Sequence, residues 1–120
     1  MSETRSVPAD PADPRMVLTT LPDAASAERL ARELVEARLA ACVQLAPGLV
    51  SIYRWQGAVE RADEVLLVAK TTAARVRAVE ALIARLHPYE VPEFVVLEPR
   101  QVGAAYAAWL AAQTAVEPSA

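Results

Sequence analysis

Apolar side chains along this chain alternate between helical and extended spacing, and the order of the changes predicts the fold. Met16–Leu21 is a short apolar run halted by Pro22-Asp23, read as a strand, with Asp23 as the N-cap of a following helix. Ala27, Leu30, Ala31, Leu34 and Val35 then recur at three- and four-residue steps. Glu28, Arg29, Arg32, Glu33 and Glu36 fall between them, which predicts an amphipathic helix ending near Arg38. From Cys42 the period drops to two. Val43 and Leu45 alternate with Gln44; beyond Pro47-Gly48, Leu49, Ser51, Tyr53 and Trp55 share one face, with Val50, Ile52 and Arg54 on the other. This reads as one long strand with a bulge at Pro47-Gly48, because proline cannot donate to a ladder and glycine accepts the bend.

Gln56-Gly57 opens the connection to a returning strand at Val65–Thr71, whose unbroken apolar stretch predicts a central position buried on both faces. Residues 72–86 carry a second helical stripe (Val76, Val79, Leu82, Ile83, Leu86), which must stop at His87 because Pro88 pushes its predecessor out of the α region. Phe94–Leu97 is the next strand, and Tyr106, Trp109, Leu110 and Gln113 mark a last helix. The result is an α+β fold, a ferredoxin-like βαββαβ sandwich with an extended hairpin and an extra C-terminal helix. Residues 1–15 hold three prolines and no apolar period, so they are read as a disordered N-terminal tail; residues 16–115 form the domain, and 116–120 a short C-terminal tail. The hairpin of residues 42–71 offers edges that one small subunit cannot cover, which invites pairing with another subunit.

Composition narrows the chemistry. The 120 residues are 54% hydrophobic and carry a net charge of -3, too acidic for a phosphate backbone, so no nucleic-acid partner is expected. One cysteine, Cys42, excludes an internal disulfide and any CxxC site, and it reads as a small buried hydrophobe with nothing basic beside it. One histidine excludes a multi-histidine centre within one chain, and the lack of asparagine excludes Cys-His-Asn catalysis. No apolar run is long enough to span a bilayer and the N-terminal stretch has no signal-peptide pattern, so a cytoplasmic protein without membrane insertion is expected.

The densest polar constellation is His87-Pro88-Tyr89-Glu90-Val91-Pro92-Glu93, stiffened by its two prolines. His87 either caps the helix or ligates a metal together with Glu90 and Glu93. Lys70, the only lysine against eleven arginines, stands at a strand end before Thr71-Thr72, as an anion subsite or as an ordinary snorkelling lysine. Tyr53 and Trp55, with Tyr89, either line a ligand cleft or pack in a core or interface. No nucleophile–base set emerges, so no enzyme is expected.

These segments, with Val17–Asp23, Leu39–Val43, Pro47–Gly57, Glu64–Thr71, His87–Glu93 and Tyr106–Leu110 in order, resemble the CutA divalent-cation-tolerance family from about residue 16 to 114. The resemblance implies a non-enzymatic homotrimer built through the long hairpins, similar in architecture to the PII signalling proteins, and a role in tolerance of divalent cations, notably copper. The copper ligands it implies are a first-strand cysteine and a histidine pair; here Thr19 and Leu86-His87 stand in those places. Tight Cu(I) binding is therefore not expected, and no cofactor is obligatory. Weak Cu(II) or Zn binding at His87, Glu90 and Glu93 is the expectation, since mixed nitrogen and oxygen ligands suit those ions. The alternative is a PII-like sensor that takes an anionic metabolite in an inter-subunit cleft with Lys70, Tyr53, Trp55 and Tyr89.

Overall fold

Four strands and three α-helices follow one another in the expected order, in a computed structural model that describes residues 10–116. They are β1 (Pro14–Leu21), α1 (Ala24–Glu36), β2 (Cys42–Trp55), β3 (Ala58–Thr72), α2 (Val76–Leu86, entered through a 3-10 turn at Ala73–Arg75), β4 (Val95–Leu97) and α3 (Ala104–Gln113). The sheet is antiparallel throughout with order β2-β3-β1-β4, the ferredoxin-like arrangement. Asp23 caps α1 as expected, its carboxylate accepting from the Ser26 N–H at 2.7 Å. α2 stops at His87, whose backbone turns extended at φ -74, ψ 134.

One face of the sheet carries the core. Val17, Leu21, Val65, Leu67 and Ala69 alternate inward and meet Ala27, Leu30 and Leu34 of α1 and Val79, Leu82 and Ile83 of α2 in one cluster. Val35 was expected on this stripe but is exposed near the C-terminal end of α1. Thr19 points into the same core with its hydroxyl fully buried and without a hydrogen-bond partner. The opposite face is only partly covered: α3 lies over one end of it, with Lys70 Nζ 5.5 Å from the centre of the Tyr106 ring. Thr114 locks that helix, its hydroxyl meeting that of Thr72 at 3.3 Å and its carbonyl accepting from Arg75 Nε at 2.8 Å. β3 is an inner strand, yet Leu66 and Val68 stay half-buried because α3 does not reach along the whole face.

Two boundaries and one burial differ from the expectation. The N-terminal tail was drawn to residue 15, but Pro14 and Arg15 already pair with Thr72 and Thr71, and the Pro11 and Asp13 carbonyls accept from Ala74 and Ala73. Backbone bonds of this kind leave no apolar period to read. The rest of that tail, residues 1–9, and residues 117–120 lie outside the described residues. The connection after β2 is only the two-residue turn Gln56-Gly57, both at positive φ (49° and 82°), and β3 starts at Ala58. The added stretch Ala58–Glu64 is mostly polar because it projects beyond the core as an arm. Cys42 is half-buried rather than buried, and it pairs directly with Lys70 across the ladder, so a basic neighbour does stand beside it.

Candidate functional site

The site begins with one extra residue. Ala46 pairs with Leu66 while Leu49 pairs with Glu64, so Pro47 and Gly48 together oppose Val65. Gly48 adopts φ +80°, open to glycine at little cost. The side-chain period of a strand is two, so this bulge reverses the phase of β2. Val43 and Leu45 face the helices, whereas Leu49, Ser51, Tyr53 and Trp55 share the other face with Glu64.

The His87–Glu93 connector closes over that face. His87 is buried, and both ring nitrogens are engaged: Nδ1 accepts the Tyr89 N–H at 3.1 Å, and Nε2 donates to the Thr20 carbonyl at 2.6 Å. Tyr89 is thereby placed 4.8 Å from the His87 ring, centre to centre, and its hydroxyl donates to Glu64 Oε2 at 2.8 Å. Between hairpin and connector lies an open groove of about 660 Å³, walled by Tyr53, Trp55 and Tyr89, with Glu64 at its base and Glu90 and Glu93 at its rim. Among the described residues no lysine or arginine lines it.

Glu64 is 8% exposed. Burial pushes its pKa up, but hydrogen bonds from Ser51, Tyr89 and Thr20 outweigh that and hold the carboxyl below its usual range. Tyr89 moves the other way: burial, then its bond to the Glu64 carboxylate, push it up to about 12. The Tyr89 contribution to stability is therefore present below the ordinary tyrosine range and lost as pH rises through about 12. That of Glu64 is present above the ordinary carboxylate range and lost on acidification. Absorbance titration at about 295 nm is expected to show one of the three tyrosines ionising near pH 12. Tyr89→Phe removes that step, and Glu64→Gln moves it down toward 10.

Of the cleft residues expected from sequence, Tyr53, Trp55 and Tyr89 come together. Lys70 does not. It shares a face of β3 with Glu64 but sits six residues along, about 20 Å away, against Tyr106 at the other end of the sheet. The expected metal set does not assemble either. His87 has no ring nitrogen to offer, Thr19 is sealed in the core, and among the described residues no group of three His, Cys, Asp or Glu side chains converges. A copper centre of the kind the resemblance implied therefore does not fit these residues. Glu64 was missed, since it lies in a polar stretch; only its register opposite Leu49, just beyond the bulge, reveals it.

Comparison with known proteins gives one consistent result. Residues 15–113 match the family described as CutA1 divalent ion tolerance protein. The divalent-cation tolerance protein CutA of Thermus thermophilus is 46% identical over 99 residues, spanning 82% of this chain and 96% of that one. Its Pectobacterium atrosepticum counterpart is 41% identical over 98 residues, 82% of this chain and 89% of that protein. The crystal structure of CutA from Xylella fastidiosa superposes with a TM-score of 0.84 at 40% identity, covering 86% of this chain and 99% of that one. A 26% identical relative from Archaeoglobus fulgidus, TM-score 0.83, covering 85% of this chain and 99% of its own, is described as periplasmic. Among the described residues no helix is long and apolar enough to cross a membrane. With its fold and its matched segments in agreement, the chain belongs to the CutA1 divalent ion tolerance family.

Proposed function

We propose that the chain acts as a non-enzymatic homotrimer in the cytoplasm, contributing to tolerance of divalent metal cations, copper among them, and binding Cu(II) or Zn(II) only weakly. What supports this reading is the charge of the groove: Glu64, Glu90 and Glu93 line it without converging on one point, and among the described residues no basic side chain does, so it attracts cations without chelating them. Its relatives in Thermus thermophilus and Pectobacterium atrosepticum are named for divalent-cation tolerance. Oxygen ligands at an open rim give modest affinity for Cu(II) or Zn(II) and little for Cu(I), which selects soft sulfur. The same charge speaks against the anionic-metabolite alternative, as does the distance to Lys70. A catalytic role finds no support, because the one histidine spends both nitrogens on the backbone.

Calorimetric titration of the full chain with Cu(II) near neutral pH tests the metal part. Binding in the micromolar range or weaker is expected, lost in Glu90→Gln/Glu93→Gln and retained in Thr19→Ser. Tight binding that survives the double carboxylate variant would overturn it.

A further inference from the structure

We draw no further inference here: the strongest candidate, the exposed aromatic patch of Tyr106 and Trp109 on α3, is an unpartnered apolar face, and nothing in the structure shows what covers it.

Discussion

At micromolar concentration the full chain is expected to elute as a homotrimer in size-exclusion chromatography with light scattering, and the double variant Ile52→Lys/Val59→Lys as a monomer. The reason lies in the arm that β2 and β3 extend beyond the core. Pairing places Val50, Ile52 and Val59 on the face of the arm opposite Glu64, and they are 47%, 72% and 66% exposed in the single subunit. A two-stranded ribbon without a covered face is marginal in water, and clustered exposed apolar side chains mark contact surfaces. Burying the part of these side chains that is still exposed, a little under two whole side chains' worth, contributes about 3–6 kcal/mol per arm at 1.5–3 kcal/mol for each. β2 is also an edge strand of 14 residues, with backbone groups along its outer side open to pairing. Two buried lysines would oppose all of this with like charges and desolvation. A monodisperse wild-type monomer would sink the assembly; a double variant that stays trimeric would move the contact elsewhere.

The strands and helices were legible wherever one face meets the core. α1 and α2 show their stripes, and both ends are set by local chemistry, Asp23 at one and Pro88 at the other. The arm was half-legible. Its β2 side alternates cleanly, but Ala58–Glu64 has no core to face and so no period to betray it. The proline-glycine bulge was visible, whereas its consequence was not. Read straight through, Val43 and Leu45 share a parity with Tyr53 and Trp55, and only the pairing with β3 shows that they face opposite ways. The candidate site suffered from the same blindness to register. Lys70 drew notice because lysine is rare in this chain, yet six residues of strand separate it from the groove. Glu64 drew none, one acid in a polar run, although it is the carboxylate on which the groove is built. Composition marks unusual residues; register decides which of them meet.

His87 is the residue on which the two ways of reading the connector part most sharply, and His87→Ala is expected to cost stability far more than it costs metal binding. A ligand histidine keeps one nitrogen toward its metal. Here Nε2 donates to the Thr20 carbonyl and Nδ1 accepts the Tyr89 N–H, in a ring that is 8% exposed. Truncation leaves a carbonyl and an amide without partners in a poorly hydrated place, at about 1–3 kcal/mol each, and removes the ring that packs against Tyr89. A loss of about 2–5 kcal/mol corresponds to a fall in melting temperature of roughly 10–30 °C for a domain of this size. His87→Gln, whose amide can still donate toward Thr20, should recover part of it. The damage should also spread to the groove: with its N–H released, Tyr89 loses its fixed approach to Glu64, and its ionisation near pH 12 should drop toward the ordinary tyrosine range. Scanning calorimetry and the absorbance titration measure both effects on the same samples. If His87→Ala melts like the wild type and loses only Cu(II) affinity, the ring is a metal ligand after all, and the hydrogen bonds that hold the connector to β1 are incidental.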